Sequence, residues 1–444
     1  MAHQGNCLRR SRLRGRIIHP GLRSRQFFSV VIPPSMKHRD RSPVPHETSL
    51  IATIAIGLAY AFVGGFIAVR LRLPPLVGYL LAGIAVGPFT PGFVGDAHIA
   101  SQLAEIGVIL LMFGVGMHFS VRELWAVRSI AVPGALVQIA VATALGAGVA
   151  HFWGWSLGAG LVFGLALSVA STVVLLRALE AMGSVNSPDG RIAVGWLIVE
   201  DLVMVLALVL LPAFAGHLGG SDPAHDRTAD SGVWLSLGIT LGKVALFVAL
   251  MLVVGTRLFP WLLKHVERAK SRELFTLAVA ALALGVAFGS AKLFGVSFAL
   301  GAFFAGVVIH ESDLSHRAAT DLQPLQDAFG VLFFVAVGML FDPMILVRQP
   351  LQVLAVLSII VVGKSVVALA IVLALRRPLS TAFTVSAGLA QIGEFSFILA
   401  ALGIDLGLLP LEGQHLILAG ALLSITLNPL VFYLASLAQP ARRG

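Results

Sequence analysis

From about residue 47 onward the chain alternates long apolar stretches with short polar breaks, and each stretch approaches the ~20 residues an α-helix needs to cross a ~30 Å hydrocarbon layer. Thirteen such stretches are read, at about 49–69, 74–88, 100–119, 129–151, 155–179, 191–214, 233–256, 273–290, 293–309, 325–341, 350–375, 379–403 and 412–436. The pattern predicts an all-α polytopic membrane protein with about 13 transmembrane helices. The second and ninth stretches are short, which suits a place inside the bundle.

Two motifs recur at one spacing. Tyr79-Leu-Leu-Ala-Gly83 is echoed by Ala302-Phe-Phe-Ala-Gly306, and Leu111-Met-Phe-Gly-Val-Gly-Met117 by Phe333-Phe-Val-Ala-Val-Gly-Met339. Gly83 and Gly306 lie 223 residues apart, and Gly116 and Gly338 lie 222 apart. Stretches 1 to 6 then correspond to stretches 8 to 13, with the seventh as a linker. Because seven crossings separate partners, the two six-helix repeats are inverted in the membrane. Inverted repeats are a signature of secondary transporters, whose sites lie near the midplane on interrupted helices. The expected organisation is a leader over 1–46, repeat 1 over 47–214, a linker over 215–272, repeat 2 over 273–436 and a short tail over 437–444.

Composition agrees with this picture: 57% of the side chains are hydrophobic and 12% charged, with a mean hydropathy of +0.92. Soluble domains carry about 25% charged residues, so that class is excluded. The net charge of +9 would suggest a nucleic-acid partner, but its location removes that reading. Residues 1–41 hold nine Arg and one Lys against Asp40 alone and carry the whole +9, so the remainder sums to zero. This leader has no apolar core of the ~7–15 residues a signal peptide needs. The expectation is a mis-assigned start, with translation beginning at Met36, compatible with a disordered tail; an organelle transit peptide is the weaker alternative. Cys7 is the single cysteine, which leaves no disulfide or Cys-based metal site within one chain.

Short-loop charges give an orientation. Sixteen Lys and Arg follow odd-numbered stretches or occupy the tail, against Arg227, Lys292 and Arg348 on the other side, leader excluded. The C-terminus is therefore expected in the cytoplasm. His310, Glu311, Asp313, His316, Arg317, Asp321 and Asp327 crowd the cytoplasmic loop after stretch 9 and the start of stretch 10, read as a solvated charged loop with a regulatory contact as the sharper alternative.

Four ionisable residues sit well inside apolar stretches: Glu200 and Asp201 in the sixth, Lys364 in the eleventh and Glu394 in the twelfth. An ionised side chain at the bilayer centre costs at least ~2.5 kcal/mol, which makes each a functional candidate. Shifting Ser171 and Thr172 by 222 lands on Gly393 and Glu394, so the polar runs Ser168-Val-Ala-Ser-Thr172 and Gln391-Ile-Gly-Glu394 match across the repeats. Where such segments unwind and cross, carbonyls and hydroxyls replace a cation's water shell and a carboxylate supplies charge. Asp201 is the candidate for carrying cation and proton in turn. Burial disfavours its charged form and an ammonium such as Lys364 favours it, and competition of the two loads for one carboxylate is antiport. Glu200 points about 100° away from Asp201, toward the crossing or a structural pair. Lys364 is either a switching or a permanent salt-bridge partner.

Gly195-Trp-Leu-Ile-Val-Glu-Asp-Leu-Val203, Ser171-Thr172, Ser297-Phe-Ala-Leu-Gly-Ala-Phe-Phe-Ala-Gly306 and Ala390-Gln-Ile-Gly-Glu-Phe395 closely resemble the Kef-type monovalent cation:proton antiporters of the second cation:proton antiporter superfamily, in particular their YbaL-like branch. The likeness spans about residues 47–436. It implies a sodium/proton antiporter-like fold, with two inverted six-helix repeats and crossing discontinuous helices. It further implies exchange of K⁺, or else Na⁺, for H⁺ by an elevator-like movement of a core domain against a dimerisation domain. The implied protein is a homodimeric secondary transporter of a bacterial inner membrane, not an enzyme, with no resident cofactor and no nucleic-acid partner. The family's ion-binding aspartate falls on Asp201, with Thr172 beside it as cation ligand, and its crossing-helix polar residues on Ser171, Thr172, Gln391 and Glu394. Two departures stand out: better-known members carry Gln where this chain has Glu200, and commonly continue into a nucleotide-binding regulatory domain. No G-x-G-x-x-G follows a predicted strand. A channel or sensor on the same fold remains the alternative, with a membrane-embedded hydrolase behind it.

Overall fold

The computed structural model describes residues 46–118, 121–185, 187–220 and 233–438 of the chain. The expected leader, but for His46, and residues 439–444 of the expected tail lie outside the described residues. Among the described residues every regular element is helical. A hydrocarbon layer requires this, because a helix satisfies each backbone N–H and C=O within itself.

The first half comprises α1 (His46–Arg70), α2 (Pro75–Val86), α3 (Ala97–His118), α4 (Val121–Phe152), α5 (Leu157–Ser168), α6 (Thr172–Ala181) and α7 (Pro188–Phe214). There follow α8 (Val233–Leu250) and α9 (Thr256–Arg268), joined by a π turn at Met251–Gly255. The second half comprises α10 (Arg272–Gly289), α11 (Phe298–His310), α12 (Ser315–Met339), the single turn α13 (Ile345–Arg348), α14 (Pro350–Ser358), α15 (Lys364–Ala374), α16 (Leu379–Gly388), α17 (Glu394–Asp405) and α18 (Leu411–Ala438). A π turn at Ile359–Gly363 joins α14 to α15.

All thirteen predicted stretches fall on these helices. Among the described residues ten spans, with α5–α6, α8–α9 and α14–α15 each taken as one, are long and apolar enough to cross a membrane. The helices α2 and α11 are shorter, and α16–α17 forms a second broken pair. Three predicted boundaries move. The fourth and tenth stretches start earlier, at Val121 and Ser315, and the seventh runs on to Arg268. In each case the added turns are amphipathic and charged, so a hydropathy window misses them.

The tenth stretch carries the largest correction. His316, Arg317 and Asp321, read as part of a solvated loop, lie within α12, ahead of Asp327. Arg317 pairs with Asp321 one turn on, at 3.5 Å, and with Glu267 of α9 at 3.2 Å. Arg272 reaches Asp321 at 3.0 Å, Lys264 reaches Asp313 at 2.9 Å, and the Arg317 guanidinium covers the Phe275 ring at 4.3 Å. Ala318 and Leu322, each about 100° round the helix from Arg317 and Asp321, are fully buried. Charges spaced four apart support a helix as readily as a loop.

Two groups of helices are visible in the packing. One brings α1, α2 and α3 together with α10, α11 and α12; the other joins α4, α5 and α7 with α15 to α18. In the first group the halves interlock: α3 lies on α11, and α2 lies on α12. The recurring glycines make these contacts. A Cβ on Gly83 would run into the carbonyl of Val335 and one on Gly338 into that of Leu80, while Gly116 and Gly306 would strike the carbonyls of Phe303 and Phe113. Small residues let backbones touch where water supplies no force between helices. The motif pairs found by spacing are thus one pseudo-symmetric contact used twice. Element starts carry the same lag: α5 to α16 and α6 to α17 are each 222 residues apart.

Candidate functional site

Two helices are interrupted, and their interruptions meet. The α5 helix stops at Ser168, Val169 is extended (φ −94°, ψ 133°), and α6 restarts at Thr172 behind the cap residue Ser171. Ser168 turns its hydroxyl onto Leu165 O at 2.7 Å and Ser171 Oγ accepts from Val174 N at 3.4 Å. Such side chains offer the backbone an alternative to the helical ladder, which is why the run breaks here. The α16 helix stops at Gly388 and α17 restarts at Glu394 after extended Gly393 (φ −123°, ψ −165°). A Cβ on Gly393 would lie 2.6 Å from Ser171 Cα, so the two strands of backbone cross in contact.

Gln391 ties the breaks together. Ser171 N donates to Gln391 Oε1 at 3.0 Å, while Gln391 Nε2 donates to Ser171 O at 3.0 Å and to Gly388 O at 3.2 Å. Its amide is taken up by backbone, which makes it a clasp between the two chains at this crossing.

Acids face the restarting helix ends, where the free N–H groups carry partial positive charge. Glu200 Oε2 accepts from Ala170 N at 2.8 Å, and Glu394, in the first turn of α17, accepts from Ser171 Oγ at 3.2 Å. Thr172 Oγ1 donates to Asp201 Oδ2 at 3.1 Å. Donors face the stopping ends. Lys364 Nζ reaches Gln391 O at 2.9 Å, Asn428 Nδ2 reaches Ala387 O at 2.9 Å, Ser365 Oγ reaches Ser386 O at 3.0 Å, and Gln138 Nε2 reaches Ser168 O at 3.1 Å. Each helix end thus meets side chains of opposite polarity.

The structure brings together at this crossing the seven ion-site candidates Ser171, Thr172, Glu200, Asp201, Lys364, Gln391 and Glu394. Glu200, Asp201, Lys364 and Glu394 are 0%, 5%, 1% and 5% exposed, respectively. The Lys364 ammonium is engaged by Gln391 O, while Glu200, Asp201 and Glu394 bring three carboxyl groups to the same crossing. Adjacent residues on α7 point about 100° apart: Glu200 turns to the α5–α6 break and Asp201 to Thr172. Chemically, the crossing presents hydroxyls, carbonyls and three carboxylates with one ammonium held to the side, a donor set suited to a monovalent cation or a proton.

Gln138 and Asn428 were not singled out from sequence. Both are buried amides, 0% and 1% exposed; Gln138 is the one side-chain amide of its stretch, whereas Asn428 shares its stretch with Gln414.

Residues 57–433 match the profile of the sodium/hydrogen exchanger transmembrane family. The chain belongs to this family. Among its relatives within and beyond bacteria, the Escherichia coli (strain K12) protein named "Putative cation/proton antiporter YbaL" is 61% identical over 389 residues, 88% of this chain and 69% of that protein. The K(+) efflux antiporter 4 of Arabidopsis thaliana is 34% identical over 87% of this chain and 64% of its own length. The solved sodium proton antiporter MjNhaP1 of Methanocaldococcus jannaschii, at pH 8, superposes with a TM-score of 0.65 over 87% of this chain and 98% of that one, at 17% identity. That likeness establishes the exchanger fold. The Kef-type resemblance read from the motifs is thereby upheld, and the chain is a multi-pass membrane protein of the cation/proton antiporter class.

Proposed function

We propose that the protein exchanges a monovalent cation, K⁺ ahead of Na⁺, for H⁺ across a bacterial inner membrane, with its C-terminus in the cytoplasm. One observation carries the reading. Asp201 is buried where two broken helices cross, holds the Thr172 hydroxyl at 3.1 Å, and lies in the field of two further carboxylates. Bound cation and bound proton each relieve that accumulation of negative charge, and both cannot do so at once. The preference for K⁺ rests on relatives named as K(+) efflux antiporters at 32–34% identity. Alternating access would come from α4–α7 with α14–α18 moving as a core against the interlocked group, in a homodimer. Asp201 and Thr172 would hold the cation, Glu394 would keep the field negative, and Gln391 would keep the breaks in register.

In everted vesicles with a preformed pH gradient, addition of K⁺ should collapse the gradient. A response to Na⁺ alone would overturn the K⁺ assignment, and cation flux without proton movement would favour a channel.

Lys364 has a defined place in this scheme. Lys364→Gln should lower transport several-fold and shift its pH optimum, because it leaves Glu200 buried without its ammonium. Glu200→Gln combined with Lys364→Gln should be more stable than Lys364→Gln alone, measured by thermal unfolding in detergent. An additive double mutant would mean that the two charges do not support each other.

A further inference from the structure

The two breaks are held by the neighbouring long helices in parallel ways. In the second half, Lys364 at the start of α15 donates to Gln391 O, just beyond the end of α16. In the first half, Gln138 of α4 donates to Ser168 O, at the end of α5. The acceptors Ser168 and Gln391 are 223 residues apart, close to the repeat lag, and the donors Gln138 and Lys364 are 226 apart. Donor positions therefore differ from exact equivalence by about one helical turn on corresponding helices.

We infer that Gln138 is a positioning residue for transport, the neutral counterpart of Lys364, fixing the α5–α6 break so that Ser171 and Thr172 face the crossing. The inference deepens the exchange reading and rests on it for the transport arm alone. Four features support it. Gln138 is 0% exposed and lies in a stretch with no other side-chain amide, so its cost of burial needs an offsetting contact. Its Nε2 serves the last carbonyl of α5, which has no continuing helix to bond to. Its Oε1 has no hydrogen-bond partner among the described residues, so the amide is fixed in this rotamer by its donor side alone. From Ser168 O the chain runs four residues to Thr172, whose hydroxyl holds Asp201.

The two halves then differ in kind. The end of α16 has Lys364, Asn428, Ser365 and Gln391 as side-chain donors, whereas among the described residues Gln138 is the donor from another helix at the end of α5. Negative potential at the stopping end of α5 is left less compensated, and that end belongs to the break that carries Thr172. A full charge at position 138 would remove this bias; an amide steers the carbonyl and leaves its field in place.

Gln138→Met keeps length and volume and removes the donor. In the vesicle assay it should raise the KM for K⁺ by about tenfold while the maximal rate changes by less than about threefold, the size expected for one buried carbonyl left unbonded. Gln138→Asn, with a shorter amide, should recover part of the KM, and Gln138→Lys should depress transport below Gln138→Met at equal protein level. On purified protein, hydrogen exchange of peptides covering 165–175 should speed up in Gln138→Met and stay unchanged over 385–395. Equal exchange in wild type and Gln138→Met, or a fall in maximal rate with KM unchanged, would overturn the inference. A wild type that moves no protons would overturn the exchange reading instead, and hydrogen exchange would still decide whether Gln138 holds the break.

Discussion

Asp201→Asn should abolish cation-driven proton movement in everted vesicles while leaving the protein folded and in the membrane. Asparagine matches the carboxylate in size and can still accept from Thr172, so the α6–α7 contact at 3.1 Å survives. What is lost is the one property that couples the two loads, a side chain that is either a negative cation ligand or a neutral acid. The substitution also takes one negative charge away from Glu200 and Glu394, whose fields act on the same point. Stability should therefore hold or rise, because fewer buried like charges remain. A mutant retaining cation-dependent proton flux above about a tenth of wild type would remove Asp201 from the carrier role.

Gly393→Ala tests the crossing itself. An added Cβ would lie 2.6 Å from Ser171 Cα and 2.8 Å from Ser171 Cβ, and both are parts of a chain that Gln391 holds from either side. Relieving the contact needs a separation of roughly 1 Å, and a displacement of that size in a reacting constellation costs about a hundredfold in rate. The expected cost in stability is smaller, about 1–3 kcal/mol, as for other overpacked sites. Gly393 has an ordinary extended φ of −123°, so the effect comes from contact with Ser171 and not from backbone strain. Transport within about threefold of wild type would show that the breaks tolerate being pried apart, and would weaken the role given to their close approach.

The membrane helices were legible because the bilayer imposes one length and one composition on each. The ionisable residues were legible for the same reason, since a charge in an apolar stretch needs an explanation. Repeat spacing was legible through Gly83, Gly116, Gly306 and Gly338, where the backbone contact leaves no room for a side chain. Other features depend on azimuth and on where a break falls. That Lys364 reaches Gln391 O follows from the rotation of α15 about its axis, and that Gln391 gives its whole amide to the backbone of Ser171 and Gly388 follows from where the α16–α17 break falls. No spacing rule fixes that rotation. The start of α12 was misjudged because paired charges such as Arg317 and Asp321 hide a helix from any measure of apolarity.

The interlocking of α2 with α12 and α3 with α11 sets a timetable for biogenesis. When α2 and α3 leave the ribosome, the residues that meet their glycines lie about 255 residues further on for Gly83 with Gly338 and about 187 for Gly116 with Phe303. At ~5–20 residues per second that is roughly 10–50 s during which half of the bundle must wait in the bilayer with its closest contacts unmade. Assembly of this protein is therefore a post-insertion event, completed when the second half arrives and not helix by helix as each one enters.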